Sequence, residues 1–327
     1  MQRGELHYFD RFSQPSSLVI QRIQMEQDSA KSFHDDPSVS YIDFNRAGMP
    51  LVEIVTEPEI YHPEDGKLAI KELQDLLKSL NISEANMDEG QMRVDVNVSL
   101  RRKNGGVQGE RVEVKNVLGT RFIEKSIEFE IRRHAQLLAM GQEIPKETRR
   151  YDAAHDQTFL LRSKEEDIDY RFLVDPDIPM FRISKDRISK IKEEMPEVPF
   201  NKKLRLSEKY QLSISDVQTI FNHTETIPIF ESLVSSIKAE PKDIFKWMYN
   251  NVYGNVSKKD LDFMSVLQNN FKQGVLLADL IDLIEVQKKL SASNGKSILY
   301  SIIDDKFDHD LSLQDIILEE LGINIQE

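Results

Sequence analysis

The stretch that decides the fold runs from Gln91 to Arg101, QMRVDVNVSLR, and resumes after a turn as ERVEVKNV from Glu110 to Val117. Met92, Val94, Val96, Val98 and Leu100 alternate without a miss against Arg93, Asp95, Asn97 and Ser99, the period of a strand with one buried face. Residues 102–109, RKNGGVQG, supply turn residues, and Val112 and Val114 then alternate with Arg111, Glu113 and Lys115. This pattern predicts an antiparallel hairpin. A slip of one residue would set valines against charges, so the register has to bring Asp95 or Asn97 near Lys115. One face then packs on a core. The other gathers Arg93, Asp95, Asn97, Glu113 and Lys115, more polar groups than a water-facing sheet requires, although paired surface charges would also explain them.

Working outward, residues 63–80 place Ala69, Leu73, Leu76, Leu77 and Leu80 on one helical stripe. Residues 120–141 do the same with Ile123, Ile127, Ile131 and Leu138, and Gly141 is a natural stop. SLVIQRIQM at 17–25 and LVEIV at 51–55 read as further strands. Beyond Pro199 only four glycines remain and helical period dominates, most strongly over 265–290 and 311–322. Residues 255–257 and 291–295 read as loops or caps. Two prolines in EEMPEVPF, residues 193–200, put a boundary near 186–200. The expected class is α+β: a partial antiparallel-sheet cradle with flanking helices over 1–190, a helical bundle over 191–260, and an incomplete helical tail over 261–327.

Composition narrows the function. With 39% apolar and 30% charged residues the 327-residue chain can build real cores, which excludes intrinsic disorder as the main reading. No apolar run reaches the ~18–20 residues that span a bilayer, so no membrane-spanning segment is expected. There is no cysteine, hence no thiolate metal site or cysteine nucleophile within these residues. The net charge is −13, so any nucleic acid has to be met by a local patch or by shape.

Individual side chains then stand out. Glu53 sits among Leu51, Val52, Ile54 and Val55; either it is a carboxylate held by a partner or metal, since lone burial is costly, or it faces solvent on an edge strand. Glu26, Gln27, Asp28 and Lys31 cluster just after a strand. Their oxygens suit Mg²⁺ and the lysine suits a phosphate, or the segment is a solvated turn; the glycines of a Walker A loop are missing. The seven histidines show no ligand spacing and read as surface or capping residues. The basic runs at 101–103, 132–133 and 149–150 read as solvated charges.

At this point whole phrases become recognisable: MEQDSAKS (25–32), YIDFNRAGMPLVEIVTEPEI (41–60), ANMDEGQMRVDVNVSL (85–100), EVKNVLGTRFIEKSIEFEIRRH (113–134), KETRRYD (146–152) and DYRFLVDPDIP (169–179). In that order they resemble the B subunit of the aspartyl/glutamyl-tRNA amidotransferases, over about residues 20–327 and most specifically over 20–180. The resemblance implies ATP- and Mg²⁺-dependent phosphorylation of the side-chain carboxylate of glutamate mischarged onto the glutamine tRNA. Ammonia, released from glutamine by the amidase A subunit, then displaces the phosphate. It implies a metal site around Glu26, Gln27 and Glu53, and a cradle lined by Lys31, Arg93, Asp95, Asn97, Glu113, Lys115 and Asn116; that Lys31, Arg93 and Lys115 face the cofactor is our own expectation, which the motif does not dictate.

As partners the resemblance implies the amidase, a small third subunit of the amidotransferase, and mischarged Glu-tRNA(Gln). Because the helical half is net acidic, its contact with tRNA is expected to rely on a few lysines such as Lys258, Lys259, Lys288 and Lys289. EQDSAKS looks like the mitochondrial branch, where bacterial relatives usually read EEDAGKS, so Gln27 replaces a glutamate and the expected setting is the mitochondrial matrix. The family's N-terminal portion, with a Glu-x-His metal motif, is expected ahead of Met1, and further tail beyond Glu327. The rival expectation is a non-catalytic scaffold that binds the amidase and tRNA.

Overall fold

In the computed structural model the described residues are 4–36, 38–101, 109–163, 182–308 and 311–325, with no side-chain description for residues 35, 36, 116, 162 and 163. They form two compact units, 1–200 and 201–327. The α+β class holds: strands are confined to the first unit and the second is helical.

Among the described residues the first unit holds three sheets. β1 (Gly4–Phe9), β2 (Pro15–Gln27) and β5 (Pro50–Thr56) form an antiparallel sheet with β2 in the middle, while β3 (Lys31–Asp36) and β4 (Val39–Asp43) form a separate hairpin. The third sheet has the order β6 (Val94–Val98), β7 (Val112–Val117), β8 (Glu147–Asp152), β9 (Gln157–Ser163). The predicted hairpin is β6–β7, with Val96 opposite Val114, Val98 opposite Val112 and Asn97 opposite Glu113. An irregularity between Val94 and Val96 brings Asp95 to 3.9 Å from Lys115 Nζ, the proximity that keeping the valines together required. One ladder departs from the antiparallel expectation: β7 and β8 run parallel, because the connection between them is the long helix α2 (Thr120–Ala139).

Helix α1 (Pro63–Ser79) is entered through His62, whose side chain accepts from the Glu64 amide, with Pro63 in the first turn. Its Ala69 and Leu73 pack on Leu6, Tyr8 and Leu18 of the first sheet. α2 lays Ile123 on Val96, Val98, Val114 and Tyr151 of the third. At Gly66 the two helices approach so closely that a Cβ would lie 3.1 Å from Ile127 Cδ1. α2 ends at Met140, and Gly141 follows at φ +72°, the left-handed stop expected of it.

α3 (Lys185–Glu194) is exposed along its length, and α4 (Pro199–Tyr210) leads into the second unit. There α5 (Ile214–Phe221), α6 (Ile227–Ser236), α7 (Pro241–Phe245), α8 (Gly254–Val256), α9 (Phe263–Asn269), α10 (Val275–Ile281), α11 (Ala292–Ile303) and α12 (Leu313–Leu321) share one core. That core runs through position 260 without interruption, since Val252, Val256, Phe263 and Leu267 all belong to it. Residues 265–290 are largely helical as expected, in separate stretches: Lys272, Gln273 and Gly274 take positive φ in succession and separate α9 from α10. One reading is corrected. Residues 255–257 lie in helical turns rather than a loop, whereas Ser291 does cap α11. No described helix is long and apolar enough to cross a membrane.

Candidate functional site

Two polar faces and one buried cluster in the first unit carry the chemistry-bearing side chains. The first face belongs to β2 and β5. Gln24 stands directly across from Glu53, and Glu26 lies two residues further along the same face. Arg22 Nη2 approaches Glu53 Oε2 at 3.5 Å, Arg22 Nε donates to Gln24 at 3.2 Å, and Gln24 donates to Glu26. The side chain of Glu53 is 45% exposed. Its strand is an edge strand whose neighbour Val52 is half exposed, so Glu53 is a half-exposed carboxylate paired with Arg22 rather than one buried alone.

Gln27 falls on the opposite face of β2. Asp28 is held by Arg46 at 2.8 Å. Mg²⁺ is commonly held by one or two carboxylates with phosphates and waters completing its shell. Glu26 and Glu53 offer two carboxylates on one face, and Gln27 does not join them. Among the described residues no group of three or more His, Asp or Glu side chains is arranged to hold a metal. Lys31 begins β3 and sets its ammonium 4.5 Å from the Phe33 ring centroid.

The second face is the outer side of the third sheet. Asp95 and Asn97 on β6 meet Glu113 and Lys115 on β7, with Lys115 Nζ 3.6 Å from Glu113 and 3.9 Å from Asp95. Arg93 precedes β6 in the same alternation and is exposed. Asn116 lies in β7, and its side chain is outside the described residues, as is the DYRFLVDPDIP motif. The parallel ladder adds two residues that the sequence pattern did not single out. Thr148 is the partner of Glu113 and donates to it at 3.1 Å, and Arg150 is the partner of Lys115. Among the described residues, Arg93 and Arg150 make no hydrogen bond or ion pair.

Behind this sheet lies the buried cluster. Glu130 of α2 is fully buried. Its Oε2 accepts from Arg133 Nε at 3.0 Å and Nη2 at 2.8 Å, and its Oε1 accepts from Thr158 and lies 3.2 Å from Arg149 Nε. Arg149 also donates to Glu147 at 2.7 Å, to Thr158 Oγ1 at 2.8 Å and to the Thr158 carbonyl at 2.9 Å. Burial works to raise the Glu130 pKa, and the contacts with His134, Arg133 and Thr158 outweigh it, bringing the carboxyl down to about 2.

His134 Nε2 lies 3.1 Å from Glu130 Oε2, yet neither ring nitrogen makes a well-aligned hydrogen bond. His134 is thus buried rather than a surface or capping residue, and Arg133 and Arg149 are not solvated charges. Arg132 and Arg150, the other members of those pairs, are exposed. The signal was in the helix: Glu130 and His134 fall on the same stripe as Ile123 and Ile127.

In the second unit, Lys258, Lys259, Lys288 and Lys289 are all exposed. Lys259 bonds Asp304, Lys288 lies 3.2 Å from Glu285, and Lys289 donates to the Ile325 carbonyl at 3.2 Å. Lys258 has no such tie among the described residues.

The α+β unit that carries these two polar sheet faces matches the GatB/GatE catalytic domain family over residues 1–189. The chain belongs to that family. It is similar to the B subunit of the aspartyl/glutamyl-tRNA(Asn/Gln) amidotransferase of Persephonella marina, 36% identical over 285 residues, which is 87% of this chain and 59% of that relative. The same-named protein of Coxiella burnetii is 37% identical over 300 residues, 91% of this chain and 62% of the relative. That of Brachyspira hyodysenteriae is 38% identical over 252 residues, 76% and 52%. The chain spans about three fifths of the length of the first two relatives.

Proposed function

We propose that this chain contributes the carboxylate-activating part of a glutamyl-tRNA(Gln) amidotransferase. The observation that carries the reading is that Glu26 and Glu53, from separate family-like phrases, share one open face inside the region matched to the catalytic family. A carboxylate is a poor acyl donor. A glutamyl oxygen attacks the γ-phosphorus of ATP, ADP departs, and ammonia then attacks the acyl carbon while phosphate leaves with the bonding pair.

Mg²⁺, when bound, would offset the charge building on the transferring phosphoryl group. Glu26 and Glu53 would hold it. Lys31, Arg93, Lys115 and Arg150 supply cations for phosphate oxygens; Asp95 and Glu113 hold Lys115 in place and are the carboxylates able to take the proton that the attacking ammonia loses, while Asn97, opposite Glu113, offers an amide for hydrogen bonding. Ammonia would come from an amidase partner, with a small third subunit completing the assembly. The scaffold alternative is not favoured, since the matching family is one of catalytic domains.

EQDSAKS supports a setting in mitochondrial translation, which imaging of the tagged full-length protein would check. The function itself is tested by assembling the chain with its amidase partner and following conversion of Glu-tRNA(Gln) with and without ATP. Amidation that proceeds equally without ATP would overturn the reading.

A further inference from the structure

We infer that the buried Glu130–Arg149 clamp positions the outer face of the third sheet, by fixing the register of the parallel β7–β8 ladder so that Lys115 and Arg150 stand side by side. The inference rests on the proposed function only for its kinetic consequence.

Three contacts make the geometry. Arg149 is the ladder partner of Val114 and points to the helix side, where Glu130, Glu147 and Thr158 take its guanidinium. Its neighbours Thr148 and Arg150 therefore point to the outer side, Thr148 onto Glu113 and Arg150 beside Lys115. The ladder is short, with three partner pairs from Glu113↔Thr148 to Lys115↔Arg150, and parallel pairing is slightly weaker per residue than antiparallel. A slip by one residue would turn Arg149 outward and Arg150 inward. Two like charges on facing positions also repel, so Lys115 and Arg150 need something to hold them there.

The outer face offers Lys115 its carboxylates, Asp95 and Glu113. Arg150 has no partner there among the described residues. The restoring force on β8 comes from the other side, where α2 and β9 grip Arg149 at once. Arg is suited to this because its planar fork makes several bonds at fixed angles, which a lysine cannot reproduce.

The chain has no cysteine, so a register trap is available. Cysteines placed by Lys115→Cys and Arg150→Cys sit on ladder partners, within the separation a disulfide spans. In the full chain, mild oxidation should close this bond rapidly. Adding Glu130→Gln should slow closure about fivefold or more as register and order are lost, and Arg149→Lys, the fallback should Glu130→Gln not fold, should act in the same direction. Closure at an unchanged rate in these backgrounds would overturn the inference. So would failure of both variants to fold, judged by far-UV circular dichroism, because the network would then be needed for folding alone.

In the assembled amidotransferase, Glu130→Gln in the otherwise native chain should raise the KM for ATP about tenfold, the order of one lost charge-assisted contact. The partner's KM for glutamine should stay unchanged. A lower rate at an unchanged KM for ATP is what a smaller folded fraction gives, and would count against positioning. A wild-type complex that amidates without ATP would remove the proposed function while the disulfide comparison still decides the clamp.

Discussion

Arg149 Nε lies 3.2 Å from Glu130 Oε1, with the carboxylate wholly enclosed and the guanidinium nearly so. Neither charge would be tolerated there alone. Replacing Glu130 by Gln keeps the shape but leaves two guanidiniums facing a neutral amide, and removal of one partner from a buried pair costs about 3–5 kcal/mol. Urea denaturation should show a loss of that order. Glu128→Gln, at an exposed position on the same helix, should change stability by less than about 0.5 kcal/mol. Equal effects from the two would mean that the enclosure of Glu130 has no energetic weight.

The same group contributes to the acid sensitivity of the first unit. Its pKa falls from 4.5 to about 2 on folding, so the folded state binds this proton less readily than the unfolded one. The stabilisation is therefore complete above pH 4.5 and is lost as pH falls through the folded value. It amounts to about 3 kcal/mol. Tm followed from about pH 6 down to about pH 2 should drop steeply below about pH 5, and the Glu130→Gln variant should show a shallower drop over the same interval.

How much of this could be read in advance differs by element. The β6–β7 hairpin was legible because alternation over Met92–Leu100 is a local signal, and the register followed from keeping valines together. The clamp was not, because Glu130 and Arg149 are far apart in the chain and meet only once β8 lies parallel to β7. Neighbouring arginines also look alike in sequence: Arg149 and Arg150 point to opposite faces of one strand, one enclosed and one exposed. The break between α9 and α10 was hidden for a different reason. Apolar spacing runs through Phe271, and nothing in helical period shows that Lys272, Gln273 and Gly274 will turn to positive φ. For Glu53 the apolar neighbours left the degree of burial open, and the edge strand decides it by leaving Val52 and Glu53 half exposed alike.

Glu53→Gln follows from that exposure. Its contact with Arg22 is 3.5 Å long and open to solvent, a class of ion pair worth at most about 1 kcal/mol. Stability should barely change. Amidation by the assembled enzyme should fall by roughly 100-fold or more, the size expected for losing a metal-holding or charge-stabilising group, while the partner's glutaminase activity persists. Near-normal formation of Gln-tRNA by the variant would remove Glu53 from the reaction.

The helical unit has its own sensitive point. A Cβ at Gly295 would lie 2.3 Å from Ile284 Cδ1, 3.2 Å from Ile284 Cγ1 and 3.3 Å from Trp247 Cη2. Trp247 is buried, donates to Glu285 at 3.0 Å and is the sole tryptophan of the chain. Gly295→Ala should cost about 1–3 kcal/mol by overpacking, despite the better helix propensity of alanine. The clash falls mainly on Ile284, but the added methyl also presses on the indole, so intrinsic fluorescence should shift before unfolding begins. An unchanged spectrum together with higher stability would show that Ile284 finds another rotamer freely.

Binding of tRNA should depend unevenly on the four lysines proposed to meet it. Lys258, Lys259, Lys288 and Lys289 lie on a chain of net charge −13, so attraction has to be local. Three of them already have a partner within the chain: Lys259 with Asp304, Lys288 with Glu285, and Lys289 with the Ile325 carbonyl. Engaging phosphate would cost them those contacts, whereas Lys258 has none to lose among the described residues. Each phosphate neutralised contributes a slope of about −0.7 to −0.9 in log affinity against log salt, so the slope should be shallow and Lys258→Glu should remove the largest single share of it. The fourfold change to glutamate should weaken tRNA binding by the assembled complex and flatten the slope further. The helical core lies away from these exposed positions, so folding of the unit should be retained. Filter binding of Glu-tRNA(Gln) across a salt series measures both quantities at once, and an affinity and slope unmoved by the fourfold change would place the tRNA contacts on other residues or on another protein of the complex.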